Sequence, residues 1–364
     1  MSYFTKKHAR QWGTGLLIAG LLAGGGLLPA ETSHAAATTQ KQAASIAVLK
    51  YNGAITQQTG VVVNGEVWVP VTFLRDVLKM PLAYDKAENA YTVGSGVKQV
   101  KLSLYNGSAS ISVNNVYIKD HEGKLLNNRL YVPAGLLSDY LGYKTDWSAS
   151  SGRLNVVAKA NNALTITTQT ISNNKQDVTV ELDYPQISGM ANAAAQARIN
   201  SLLKQDITNF AAAADKGIKN RGKEENPYEY ESSYLVSYNQ DGVLSLITNQ
   251  YSYMGGAHGN TYRQGYTFSL KNGKRLLLGD LFGANSSYKK QLNAKLDKLV
   301  KAEGGYLGGF NGLTSEKFFY LKEGQVVLFF QPYEYTAYAA GSPEYSFSFK
   351  ELLPDGSSPF AAYK

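Results

Sequence analysis

The sequence predicts an α+β protein: a duplicated strand-helix-strand domain followed by an antiparallel-sheet domain that carries two helices. Three observations predict it. An internal repeat with an offset of 63 residues relates the neighbourhoods of Pro70 and Pro133. In the later part, alternating apolar runs are separated by the turn pairs Asp241-Gly242 and Asn272-Gly273. Two long stretches, from about Ala191 to Ala214 and from about Ser286 to Ala302, carry apolar residues at helical spacing.

In the repeat, Asn64-Gly65-Glu66-Val67-Trp68-Val69-Pro70-Val71 lies over Asn127-Asn128-Arg129-Leu130-Tyr131-Val132-Pro133-Ala134. Phe73-Leu74 lies over Leu136-Leu137, and Tyr84 over Trp147. Each copy reads as a turn pair, an alternating strand, and a proline where a helix begins and no N–H is needed. The apolar helix faces are Phe73, Leu74, Val77, Leu78 and Leu136, Leu137, Tyr140, Leu141. An aromatic-Val-Pro run followed by a short apolar helix, Leu-Gly and an aromatic resembles the copper amine oxidase N-terminal, or stalk, domain, over residues 45–160. In the oxidases this domain is an appendage, so the resemblance implies a spacing or docking unit. Beyond the leader the only histidines are His121 and His258, too few for a three-histidine copper site.

The leader has Lys6, Lys7 and Arg10, an apolar run from Gly15 to Leu28, and then Ala35, Ala36 and Ala37. That order predicts a secretory signal peptide over residues 1–37, cleaved after Ala35 or Ala37. Its apolar run, broken by Gly20, Gly24, Gly25 and Gly26, falls short of the roughly 20 residues a spanning helix needs. Residues 38–44 read as a linker. No later segment is apolar enough to span, so the expectation is a secreted, extracellular or wall-associated protein without a membrane span after cleavage. The 364 residues contain no cysteine, which excludes disulfides, thiol nucleophiles and thiolate metal sites. Removal of residues 1–35 takes away Lys6, Lys7, Arg10 and Glu31, so the net charge of +8 falls to 33 minus 27, or +6, a mild basicity that suits an anionic wall or membrane surface, or simple solubility.

From Ala163 the strands lengthen. Asp177 to Tyr184 alternates strictly, the helix from about Ala191 places Ile199, Leu202, Leu203, Ile207 and Phe210 on one stripe, and strands follow around Tyr230–Tyr238, Val243–Tyr253, Tyr262–Leu270 and Arg275–Leu278. The second helix carries Tyr288, Leu292, Leu296 and Leu299, and the chain ends in strands over Phe318–Leu321, Gln325–Phe330 and Tyr345–Phe349. Three runs are distinctive: Tyr251-Ser252-Tyr253-Met254-Gly255-Gly256-Ala257-His258-Gly259-Asn260, Leu278-Gly279-Asp280-Leu281-Phe282, and the stretch from Phe330 to Gly341. They resemble the extracellular domain shared by the RsiV anti-sigma factor, which senses lysozyme, and the accessory region of PdaC-type peptidoglycan deacetylases. The resemblance covers residues 163–253 as a first subdomain and 254–355 as a second. It implies a binding domain for lysozyme or cell-wall glycan with no catalytic residues of its own.

The candidate ligand-binding residues are Tyr253, Gly255, Gly256, His258, Asn260, Tyr333, Glu334 and Tyr335. His258 sits among glycines that let the backbone approach a partner, where it serves as acid, base or ligand, or simply ties down its loop. Tyr333-Glu334-Tyr335 with Tyr338 reads either as an exposed aromatic contact surface or as a cap on the sheet. Glu334 lacks the facing carboxylate that glycoside hydrolysis normally needs. No catalytic set, metal site, cofactor or nucleic-acid motif is expected. The predicted function is a non-catalytic envelope protein that recognises a lysozyme-type protein or peptidoglycan. The alternative is an enzyme acting on cell-wall glycan, and a third reading is a surface protein that self-associates.

Overall fold

The computed structural model describes residues 45–222, 226–354 and 357–364. The signal peptide and linker expected over residues 1–44 lie outside the described residues. The architecture is mixed α/β, mostly sheet, with six α-helices and two short 3-10 turns among the described residues.

The first sheet has eleven strands. In chain order they are β1 (Ser45–Tyr51), β2 (Ala54–Val63), β3 (Glu66–Pro70), β4 (Leu82–Asp85), β5 (Ala90–Val93), β6 (Val100–Tyr105), β7 (Ser108–Val113), β8 (Val116–Leu126), β9 (Arg129–Pro133), β10 (Tyr143–Ser148) and β11 (Arg153–Ala158). Their spatial order is β10-β11-β1-β2-β3-β9-β8-β7-β6-β5-β4. Paired residues at Asn52-Gly53, Asn64-Gly65, Asn106-Gly107, Asn114-Asn115 and Asn127-Asn128 all take positive φ. Those are the dihedrals of two-residue hairpins, which glycine and asparagine tolerate best.

After β3 comes α1 (Val71–Asp76), and after β9 comes α2 (Ala134–Asp139). Pro70 and Pro133 stand at their N-caps with φ of −67° and −64°. The two strands pair antiparallel at the sheet's centre, with Val69 opposite Val132. Phe73, Leu74, Leu136 and Leu137 are fully buried beneath them. Burial of four such side chains stabilises by about 1.5–3 kcal/mol each.

The second sheet contains β12 (Thr165–Ser172), β13 (Val178–Ser188), β14 (Tyr228–Gln240), β15 (Val243–Met254) and β16 (Asn260–Ser269), in that spatial order. It corrects the expectation of purely antiparallel pairing, because β13 and β14 run parallel, with Val180 opposite Tyr230. Between them lies α3 (Ala193–Lys219), which carries the chain back about 40 Å so that the next strand starts at the same end. Asn192 caps it by accepting the Ala195 N–H at 3.0 Å, and Ile199, Leu203 and Ile207 bury the predicted stripe against the sheet.

The third part holds α4 (Leu278–Phe282), α5 (Tyr288–Lys301), the sheet β17 (Phe319–Lys322), β18 (Gln325–Phe329) and β19 (Glu344–Ser348), and α6 (Phe349–Leu352). Arg275–Leu278 is not the predicted strand: Arg275 makes one isolated bridge to Phe268, and Leu278 opens α4. On α5, Tyr288, Leu292 and Leu296 pack on the core as expected, while Leu299 is 45% exposed and Val300 takes its place at the end of the stripe.

Strand β17 packs across β14, β15 and β16. Gly265 makes this approach possible, because a Cβ there would lie 2.0 Å from the Phe319 carbonyl oxygen. Leu235 and Ile247 of the second sheet and Tyr320, Val327 and Phe329 of the third join one apolar core with Val69, Leu74 and Leu137. The first sheet is therefore docked against the rest of the molecule.

Candidate functional site: a ring stack beside a paired carboxylate

The loop after β15 and the turn after β18, about 75 residues apart in sequence, meet in space. The His258 ring stacks on Tyr338 with centroids 4.0 Å apart and 20° between planes, and Tyr338 stacks on Tyr333 at 5.5 Å and 28°. His258 Nδ1 lies 2.8 Å from the Gly259 carbonyl oxygen, which only accepts, so in the neutral ring Nδ1 carries the proton. Nε2 is then free to accept from the Tyr333 hydroxyl at 3.1 Å. The Tyr338 hydroxyl donates to the same Gly259 oxygen at 2.6 Å. A Cβ at Gly259 would lie 2.3 Å from the Tyr251 ring, so glycine is required for the strand's tyrosine to pack under the loop.

Tyr333 is 53% exposed and has φ of +66°, a left-handed conformation that a bulky residue adopts at a cost of about 1–3 kcal/mol. The turn is held by its neighbours. Gln331 accepts the Arg263 N–H at 3.0 Å and donates to the Arg263 oxygen at 2.7 Å, while Glu334 accepts the Gln331 N–H at 3.0 Å. From the first sheet, Lys119 donates to the Ala340 oxygen at 2.7 Å.

The predicted residues divide. His258 and Tyr333 come together, and the Tyr338 ring packs against both. Gly255, at φ +74°, and Gly256 shape the loop, and Asn260 is exposed at the start of β16. Glu334 ties its own turn. Tyr335 points inward, 7% exposed, with its ring 4.9 Å from Phe330 and 5.2 Å from Phe310. Its place is the core, where burial raises its hydroxyl pKa.

Tyr253 belongs to a neighbouring feature that the sequence did not disclose. On the face of the second sheet opposite α3, Glu231 stands across from Tyr251, Glu229 across from Tyr253, and Glu181 across from Glu231. Glu229 and Glu231 hydrogen-bond to each other. Burial, then the Glu229 charge and, least, that of Glu181, push the Glu231 carboxyl up to about 7. Burial and the nearby Glu229 charge likewise push Tyr251 up to about 12. The alternation Glu229-Tyr230-Glu231 was the available signal, since it puts both carboxylates on one face.

A second polar cluster lies where the sheets meet. Asp120, His121 and Asp139 place one potential metal-ligand atom each within 4.8 Å of one another. Lys322 donates to Asp120 at 2.6 Å and Tyr140 donates to it at 2.9 Å. The ammonium already supplies the compensating charge that a cation would bring.

Comparison with known proteins orders the chain in three segments. Residues 48–156 match the copper amine oxidase N-terminal domain, residues 171–261 the family described as deacetylase PdaC, and residues 279–350 a family of unknown function, DUF3298. The chain is 25% identical over 135 residues to peptidoglycan-N-acetylmuramic acid deacetylase PdaC of Bacillus subtilis (strain 168). That match covers 35% of this chain and 29% of the relative. A DUF3298 family structure from Bacteroides fragilis has a TM-score of 0.42 at 18% identity, over 56% of this chain and 98% of that one. Another from Pseudomonas aeruginosa PAO1 has 0.36 at 13%, over 53% and 98%. The deacetylase match overturns the expectation of a protein with no enzymatic character. That expectation rested in part on scarce histidines and on the absence of a facing acid pair in the sequence; the fold brings Glu229 and Glu231 into direct hydrogen bonding on one strand, which is not the facing arrangement of glycoside hydrolysis.

Proposed function

We propose that the protein works in the cell envelope by engaging wall glycan, with the Tyr333, Tyr338 and His258 rings as the contact surface. The cell-wall relation is supported by the match to a peptidoglycan deacetylase. An extracellular place is compatible with that match, and no helix among the described residues is long and apolar enough to cross a membrane. One observation carries the assignment to these rings: a cluster of three mutually touching rings at the surface, of which Tyr333 is exposed and held in a costly backbone conformation. Flat aromatic surface with hydroxyl rims suits the apolar face and hydroxyls of a sugar.

The test is sedimentation of the purified chain with purified peptidoglycan. Tyr333→Ala and His258→Ala should each weaken binding about tenfold, the loss of roughly 1.4 kcal/mol of ring contact. Unchanged binding by both variants, or capture of lysozyme with none of peptidoglycan, sinks the glycan reading. A second reading, chemistry on the glycan, is favoured by the deacetylase match together with the Glu229–Glu231 pair. Release of acetate from peptidoglycan by the chain, lost in Glu231→Gln, would establish it.

A further inference from the structure

The loop over residues 330–343, which joins β18 to β19, carries both Tyr333 and Tyr338 and is held differently in its two halves. Its neck is closed by the Phe330 N–H, which donates to the Pro343 oxygen at 3.1 Å, and by Arg263 of β16. Arg263 is buried, its backbone exchanges two hydrogen bonds with the Gln331 side chain, and its guanidinium pairs with Glu344. The second sheet thus fixes the neck and the Tyr333 half. Past Tyr338 the loop reaches the first sheet instead. Lys119 of β8 donates to the Ala340 oxygen at 2.7 Å and reaches the Ser342 oxygen at 3.4 Å, and among the described residues no other hydrogen bond ends on either oxygen. Gly341, between them, has φ of +64°, and a Cβ there would lie 3.1 Å from the ammonium, so glycine serves both the turn and the approach. Glu344 is already bonded to Arg263 and Tyr320, and among the described residues Lys119 forms no ion pair. Its charge is directed at backbone oxygens of the loop.

We infer that Lys119 is a positioning residue for the ring cluster, so that the first sheet sets where Tyr338 lies and the contact surface is complete only when that sheet is docked. The consequence for binding rests on the glycan reading above. The route is short. Lys119 holds the Ala340 carbonyl, the Ala340 N–H closes the 3-10 turn Tyr338–Ala340 on the Ala337 oxygen at 3.0 Å, and Tyr338 packs from that turn on His258 and Tyr333. The bond from the Tyr338 hydroxyl to the Gly259 oxygen fixes the far end of the ring and leaves its backbone end to the turn. A hydrogen bond from an ammonium is roughly twice as strong as a neutral one. Without it the two carbonyls are left to water, and the ring is tied at its hydroxyl alone.

The experiment combines sedimentation with purified peptidoglycan and NMR of the full chain labelled at the histidine Cε1 position. The His258 signal is identified by its loss in His258→Ala, and it reports the ring current of the stacked Tyr338. Lys119→Met keeps the apolar stem and removes the ammonium. It should move the His258 signal toward that of an unstacked imidazole and weaken peptidoglycan binding about fivefold, and Lys119→Arg should restore both. Lys322→Met removes a different cation between the sheets, the partner of Asp120. It should lower the melting temperature while leaving the His258 signal and binding in place. An unmoved His258 signal in Lys119→Met overturns the positioning role. An equal displacement in Lys322→Met overturns it as well, by assigning the effect to docking as a whole. A wild-type chain that does not bind peptidoglycan sinks the glycan reading alone, because the His258 signal still decides the part played by Lys119.

Discussion

Tyr333 separates two quantities that usually move together. Its φ of +66° costs a residue with a Cβ but not glycine. Tyr333→Gly should therefore be more stable than Tyr333→Ala by about 1 kcal/mol, while both lose the ring equally for binding. Thermal melts of the two variants check this, and coincident melting temperatures would show that the turn carries no strain. At this scale the sequence was legible for His258 and Tyr333, which stand in unusual local runs, and ambiguous for Tyr335. Whether a tyrosine faces out or in depends on Phe310 and Phe330, which reach it from elsewhere in the chain.

At the scale of elements, two features govern stability. Gly265 lets β17 lie on β16, so Gly265→Ala should cost about 3 kcal/mol or more by forcing the strands apart. A melting temperature within a degree of wild type would refute that role. The Glu229–Glu231 pair makes stability depend on pH. Glu231 keeps its proton in the folded sheet up to about 7, whereas the unfolded chain releases it near 4.5. Its contribution is fully present below pH 4.5 and is lost as pH rises through 7. Melting temperature should decline over that window, and Glu231→Gln should flatten the decline. The hairpin at Asp241-Gly242 was readable because an Asp-Gly pair is a local signal, whereas Asn272-Gly273 leads only to an isolated bridge at Arg275. The parallel β13–β14 pair was not, because it is made by a long helix returning the chain, and no short stretch of sequence encodes that return.

Across the whole molecule, the first sheet is more than a spacer. Lys322 pairs with Asp120 at 2.6 Å, Lys159 with Glu323 at 2.8 Å, and Asn114 donates to the Tyr234 oxygen at 2.9 Å, all above a shared apolar core. Calorimetry of the full chain should show one unfolding transition, and Leu235→Ala, at 1% exposure, should lower it by about 2–5 kcal/mol in stability. Two well-separated transitions would mean that the shared core contributes nothing to cooperativity. The two proline-started helices after β3 and β9 were visible in the sequence, whereas the docking was not, since its contacts join residues up to 223 positions apart. Strand β1 lies between β2 and β11, with Leu49 opposite Leu154 in parallel register. A chain that emerges from its N-terminus thus holds β1 with one open edge until residues 153–156 arrive. The earliest strand waits longest for its second neighbour, and in that interval it offers its backbone to any other unpaired strand.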